Sequence, residues 1–275
     1  MVYKIWLMGG LGNQLFQYFF ARSLNIKFGC NVVLDVSDFT SNNKSRSLNI
    51  NHLVLKLPFL KKKNYFKDFF SSKKKEDTLF KFDQKIFEKK YDNYIGFWQS
   101  YKYFFDNWNL FKDEINLDKF NTDPETFNQI NISNSISVHI RRGDYINNFK
   151  TSAIHGNLKL DYYKKAIHLI QKQVKDSIFF FFSDDISWVK DNFNDKNFFF
   201  IENDYDNLNL PFKDLLLMKN CKHNIIANST FSWWGAWLNE NSDKIIFAPE
   251  YWTSKIKSAD TDLIPKEWNI LSYEY

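Results

Sequence analysis

"SIFFFFSDD", from Ser177 to Asp185, sets an isoleucine and four phenylalanines in unbroken succession and ends them with a serine and two aspartates. A strand with one wet face alternates polar and apolar residues. A bulky run with no alternation predicts a strand buried on both faces, as in a parallel sheet covered by helices. The flanking segments keep that rhythm. Before it come the strand "SISVHI" (135–140) and the helical pattern "LDYYKKAIHLIQKQV" (160–174), with Tyr163, Ala166, Ile167, Ile170 and Val174 inward. After it come a short helix "DISWVKDNF", a strand "NFFFIE" (197–202), a helix "FKDLLLMKN" (212–220) and a strand "HNIIAN" (223–228). A helix "STFSWWGAWLNE" and a final strand "KIIFAP" (244–249) close the series. Strand and helix in alternation predict a parallel α/β sheet, whose ligands sit beyond the carboxyl ends of the strands.

The N-terminal half opens in the same way. "VYKIWLM" reads as a strand, "GGLGNQ" as a glycine-rich turn, "LFQYFFARSLNIKFG" as a helix closed by Gly29, and "NVVLD" as the next strand. Residues 40–130 show no clean parallel-sheet rhythm. The expected architecture is two Rossmann-like α/β domains facing a cleft. They are 1–130, carrying a lysine-rich insertion at about 56–90, and 131–275.

At 275 residues, 25% charged and 44% hydrophobic, the chain has the composition of a globular protein. No stretch approaches the roughly 18 continuous apolar residues of a membrane span. The opening residues lack the basic and apolar regions of a secretory leader, which argues against export. Cys30 and Cys221 form neither a disulfide framework nor a zinc spacing, and suit a reducing, cytoplasmic setting. Charge is uneven: residues 56–90 hold 12 Lys against 5 acids in a chain of net charge +5. That run reads either as a solvated face or as a basic, aromatic-interleaved patch for an anionic membrane. Nothing resembling a nucleic-acid-binding motif accompanies it.

"GGLGNQ" imitates a dinucleotide fingerprint with Gly10, Gly12 and Asp35, but Leu15 stands where the third glycine is required. It suits a phosphate on a helix start instead, with Asn13 and Gln14 as side-chain donors; a tight turn is the simpler alternative. "HIRRGDY" places Arg141 and Arg142 at a strand end, pointing in different directions. One can grip a phosphate while the other anchors to an acid. Asp184 and Asp185 suit a metal, the amino edge of a base, or a helix cap. Asp204 and Asp206 have the DxD spacing of a metal site, a short and common pattern. Ser229 and Thr230 open a helix, as a phosphate contact or as a cap. Taken together, two helix starts and an arginine pair describe a pyrophosphate held without a metal.

In order and separation, "GGLGNQLFQYFFAR", "HIRRGDY" and "CKHNIIANSTFSWWGAWLN" resemble the alpha-1,2-fucosyltransferases of glycosyltransferase family 11. The likeness is good over 1–35 and 135–250 and poor over 40–130. It implies the GT-B architecture and inverting, metal-independent transfer from GDP-β-L-fucose to the 2-hydroxyl of a galactoside in a surface glycan. It implies Arg141 on the β-phosphate, Arg142 supporting the loop and His139 beside the guanosine. Asp184 or Asp185 would read the guanine edge, with Ser229, Thr230 and Phe231 at the phosphates and Asn13 toward the fucose. Gly10, Gly12 and Gln14 complete the expected donor site. No base matches residue by residue; Asp144 and His155 are the nearest titratable candidates. No cofactor is expected, GDP-fucose being a co-substrate. A lipid-linked acceptor would bring the enzyme to the inner membrane face. A metal-dependent transferase and a non-catalytic nucleotide-sugar or glycan binder are the rival readings.

Overall fold

The computed structural model describes residues 2–40, 47–61, 71–120, 122–143, 156, 158–202 and 210–272. They divide into two compact units, Met1–Asn116 and Leu117–Tyr275.

The first unit holds β1 (Val2–Trp6), α1 (Leu11–Phe28), β2 (Asn31–Asp35), β3 (Phe59–Leu60), β4 (Lys73–Lys75) and β5 (Asn93–Ile95). Among the described residues these strands form one parallel sheet in the order β3-β2-β1-β5-β4. Gly29 stops α1 at φ 57°, a left-handed turn that glycine adopts without strain. Helical turns between Tyr101 and Glu114, including α2 (Trp108–Phe111), cover α1 through Phe104 and Phe111 packed on Phe19.

Two expectations change here. The region without visible rhythm contributes β3, β4 and β5, because strands of two or three residues are too short for a period of two to register. The stretch 56–90 is also no mere insertion: it supplies both edge strands of the sheet. β4 is built of three lysines, and edge lysines discourage further strand pairing. Lys74 is tied down by Asp77 at 2.5 Å and Asp83 at 3.4 Å, so it is not part of a uniformly solvated run. Lys62, Lys63, Phe66, Phe69 and Phe70 lie outside the described residues.

The second unit holds α3 (Pro124–Ile132), β6 (Asn134–Ile140), α4 (Leu160–Gln171), β7 (Ser177–Ser183), α5 (Ile186–Asn192) and β8 (Phe198–Phe200). It continues with α6 (Leu210–Asn220), β9 (His223–Ile225), α7 (Thr230–Trp237), β10 (Ile246–Pro249) and β11 (Asn269–Leu271). Its parallel sheet runs β11-β10-β9-β6-β7-β8 among the described residues. The phenylalanine run is buried on both faces. Phe179 and Phe181 pack with Tyr162, Ile167 and Val189, while Phe180 and Phe182 pack with Ile130, Leu217 and Met218.

A boundary at residue 130 would cut α3, which Asp123 caps by accepting the Thr126 N–H at 2.8 Å and whose Ile130 enters the second core. The compact division falls earlier, between Asn116 and Leu117. β11 follows the segment that the sequence reading takes as the last strand, and it too is only three residues long. No described helix is long and apolar enough to cross a membrane.

Candidate active site

β6 and β7 pair in register with Ile140 opposite Ser183, so the residues leaving both strands emerge side by side. Arg141 therefore meets Asp184, with Nη1 donating to Oδ2 at 2.8 Å. Arg142 donates its backbone N–H to Asp184 Oδ1 at 2.8 Å and its Nε–H to Asp185 Oδ2 at 3.1 Å. The Arg142 guanidinium also lies 3.6 Å from the centroid of the Trp188 ring. Asp185 caps α5 through the Trp188 N–H, which brings that ring beneath Arg142. A side chain at Gly143 would place its Cβ 2.7 Å from Asp184 Oδ2, so glycine there makes room for the carboxylate. The result is two adjacent cations at a strand end, each paired with an aspartate. Both aspartates, expected to read a base or cap a helix, are engaged in holding these arginines. Asp185 does the capping as well.

His139 lies one residue from the end of β6 and is 5% exposed. Its Nδ1 has no hydrogen-bond partner among the described residues, and its ring stands 5.6 Å from that of Phe231. Burial pushes its pKa down to about 4; Arg141 acts in the same direction and Asp184 against it. It is therefore neutral near pH 7. Phe231 belongs to α7, which Ser229 caps by accepting the Phe231 N–H at 3.3 Å, with Thr230 as first helical residue. These groups share the carboxyl edge of one sheet, where a parallel fold places its ligand.

In the first unit α1 begins at Leu11, so the glycine loop is shorter than its sequence suggests. Gly10 is the N-cap and Gly12 is buried inside the first turn. Gln14, expected as a ligand donor, belongs to the fold instead. It is fully buried, and its amide donates to the Gly9 and Ser47 carbonyls and accepts the Asn49 and Ile50 N–H groups. Gln17 similarly joins the Met8 N–H to the Gly96 carbonyl. Asn13 is half-buried, and its Oδ1 accepts from Gln99 Nε2 at 2.7 Å.

Two further residues escaped sequence reasoning. Glu76 follows the edge strand β4 and accepts the Phe97 and Trp98 N–H groups at 2.7 and 3.2 Å. Burial raises its pKa, against the pull of N–H groups from Phe97, Trp98 and Gln99. Glu114 is buried with Arg22, which it binds at 2.9 Å, and with the Tyr18 hydroxyl. Neither acid sits in a recognisable motif; each is a lone carboxylate in a segment of weak periodicity. Trp188, four residues beyond Asp184, was legible only as a helix residue. Asp144, His155, Asp204 and Asp206 lie outside the described residues.

A family model described as glycosyl transferase family 11 matches residues 2–272. An alpha-1,2-colitosyltransferase of Escherichia coli is 31% identical over 281 residues, spanning 95% of this chain and 96% of that protein. The O-antigen biosynthesis glycosyltransferase WbnK of Escherichia coli is 46% identical over 121 residues, 44% of this chain and 39% of WbnK. Galactoside 2-alpha-L-fucosyltransferase SEC1 of Bos taurus is 27% identical over 106 residues, 38% of this chain and 29% of that protein.

Proposed function

Because the chain belongs to glycosyltransferase family 11, we propose that it transfers L-fucose from GDP-β-L-fucose, with inversion, to the 2-hydroxyl of a galactoside in a surface glycan. The observation that carries this reading is the braced arginine pair beside a neutral, buried histidine at one sheet edge. In such a transfer the acceptor hydroxyl attacks C1 from the face opposite GDP. The C1–O bond breaks through an oxocarbenium-like state, and negative charge grows on the β-phosphate. Fixed donors aimed at that charge stabilise the transition state more than the ground state. In this reading Arg141 turns from Asp184 to the β-phosphate, while Arg142 stays on Asp185 and Trp188 to hold the strand end. His139 lies against the nucleoside, and Ser229 and Thr230 line the phosphates. Asp144 and His155 are the candidates to take the acceptor proton. No divalent metal or other cofactor takes part.

The α-1,2 linkage is supported by the likeness to the alpha-1,2-colitosyltransferase, and a place in O-antigen assembly by the likeness to WbnK. A second reading, colitosyl transfer, is favoured by the relative that spans 95% of the chain. Assaying GDP-fucose and GDP-colitose with lactose and N-acetyllactosamine, with and without EDTA, tests all of this. Fucosyl transfer unaffected by EDTA supports the proposal. Turnover of GDP-colitose alone selects the second reading. Loss in EDTA that Mn²⁺ restores overturns the metal-independent mechanism, and binding without turnover leaves a sugar-nucleotide receptor.

A lipid-linked acceptor would place the enzyme at the cytoplasmic membrane face, where each lysine contributes about 1 kcal/mol at best within a Debye length of about 8 Å. Binding to anionic vesicles at low salt, lost when Lys61, Lys73 and Lys75 become Gln, is the expected result. Indifference of the wild type to such vesicles reduces the run to a sheet edge.

A further inference from the structure

Transfer from a sugar diphosphate needs positive charge at the sheet edge, yet the arginines at the edge of the second unit are matched by acids of their own. Arg141 faces Asp184 at 2.8 Å and Arg142 faces Asp185 at 3.1 Å, two cations against two carboxylates. The two pairs differ in which partner can leave. Arg142 is fixed from several sides: Asp185 takes its Nε–H, Trp188 lies against its face, and Asp184 takes its backbone N–H. In the other pair the carboxylate is the fixed member. Asp184 Oδ1 is anchored on that backbone N–H at 2.8 Å, and Oδ2 fills the space that Gly143 leaves by having no Cβ. The Arg141 side chain is 24% exposed and turns about several single bonds, so it is the member that can change partner.

A carboxylate oxygen against a guanidinium makes the same charge-assisted contact as a phosphate oxygen. Asp184 thus holds, from inside the fold, the Arg141 N–H that a β-phosphate would use. We infer that Asp184 is a positioning residue that competes with the β-phosphate for Arg141, and that it does not read the base. In the intact donor the β-phosphate carries one negative charge, so the exchange is close to even. As the acceptor oxygen bonds C1 and gives up its proton to a base, the bond from C1 to the phosphate oxygen breaks. Its electron pair stays on the phosphate, which gains a second charge and draws the guanidinium away from the carboxylate. Arg141 then serves the transition state more than the ground state.

The inference rests on the fucosyl-transfer reading, and binding of GDP and of inorganic pyrophosphate separates the two. Asp184→Asn removes the competing charge but keeps a carbonyl for the Arg142 N–H. In calorimetry it should bind both ligands about fivefold more tightly, the upper worth of a partly exposed ion pair. In transfer, KM for GDP-fucose should fall and kcat should not rise. Asp184→Glu keeps the charge and should tighten neither ligand. Gly143→Ala sets a Cβ 2.7 Å from Asp184 Oδ2, disturbs the carboxylate by another route, and should tighten pyrophosphate in the same direction. Weaker GDP binding in Asp184→Asn makes Asp184 a base reader and overturns the inference alone. Unchanged pyrophosphate affinity in Asp184→Asn and Gly143→Ala does the same. Absence of wild-type turnover of GDP-fucose overturns the reading, while tighter pyrophosphate binding in Asp184→Asn still upholds the competition for Arg141.

Discussion

In the second unit the sheet itself carries the candidate residues: β6 and β7 run seven residues each in strict register and release Arg141, Arg142, Asp184 and Asp185 side by side. In the first unit the strands are two to five residues long, and side chains do the joining. Gln14 ties α1 to residues 47–50, Gln17 ties the loop after β1 to Gly96, and Glu114 ties the segment beyond α2 to Arg22. Backbone ladders place residues by pattern. Buried polar clamps place them one contact at a time, and each clamp matters more when it is cut.

The largest effect should therefore come from the first unit. Arg22 and Glu114 are both nearly inaccessible, and removing one partner leaves the other as a buried, uncompensated charge. Glu114→Ala is expected to lower unfolding free energy by about 3–5 kcal/mol in a denaturant titration. Lys56 reaches Glu114 at 3.3 Å but is 60% exposed, so Lys56→Ala should change stability by at most about 1 kcal/mol. A loss below that level in Glu114→Ala would break the contrast between the units.

In the second unit function should suffer before stability does. Arg141→Ala is expected to cost about 2.7–4 kcal/mol of transition-state stabilisation, the range for deleting an oxyanion donor, read as kcat/KM for GDP-fucose. Its melting temperature should stay near that of the wild type, because the partly exposed Arg141–Asp184 pair contributes little to folding. Near-normal turnover in a folded Arg141→Ala variant would move the phosphate contact to another residue.

His139 supplies a pH test of the same unit. Its folded pKa of about 4 lies below the ordinary 6.5, so the unfolded chain binds the extra proton first. The stabilisation is thus complete above pH 6.5 and is lost as pH falls toward 4, by about 3 kcal/mol in all. His139→Gln should remove that part of the pH dependence. A slope unchanged in the variant would mean that other groups carry it.

How far these features could be read beforehand follows the same division. The phenylalanine run, the alternation around it and the arginine pair were legible because seven-residue strands write their burial into the sequence. The pairing of "RR" with "DD" was not, since register depends on which strands become neighbours and neither motif states it. In the first unit "GGLGNQ" announced a helix start, yet it did not show that Gln14 faces the core while Asn13 faces the loop. That distinction arises from the position of each residue around α1 and from partners more than 30 residues away. β4 was hidden because three lysines resemble a solvated run, and what marks the strand is its parallel pairing with β5, which the lysines themselves do not announce.

The smallest predicted effect sharpens the comparison from within the second unit, where one contact does resemble a clamp. Arg142 is gripped by Asp185 at its edge and by Trp188 on its face, and its side chain remains 22% exposed. A guanidinium over an indole at a partly wet site contributes about 0.5–2 kcal/mol. Trp188→Leu removes the stack and leaves the α5 cap with Asp185, so it should destabilise by about 1 kcal/mol and reduce transfer less than tenfold. Arg142→Lys keeps the charge but loses the planar face and the Nε–H to Asp185, and should cost a similar amount. If the stack acts only on Arg142, the two changes together should fall short of their sum by about 1 kcal/mol. Full additivity would reduce Trp188 to core packing, and Arg142 would then owe its position to the sheet register and Asp185 alone.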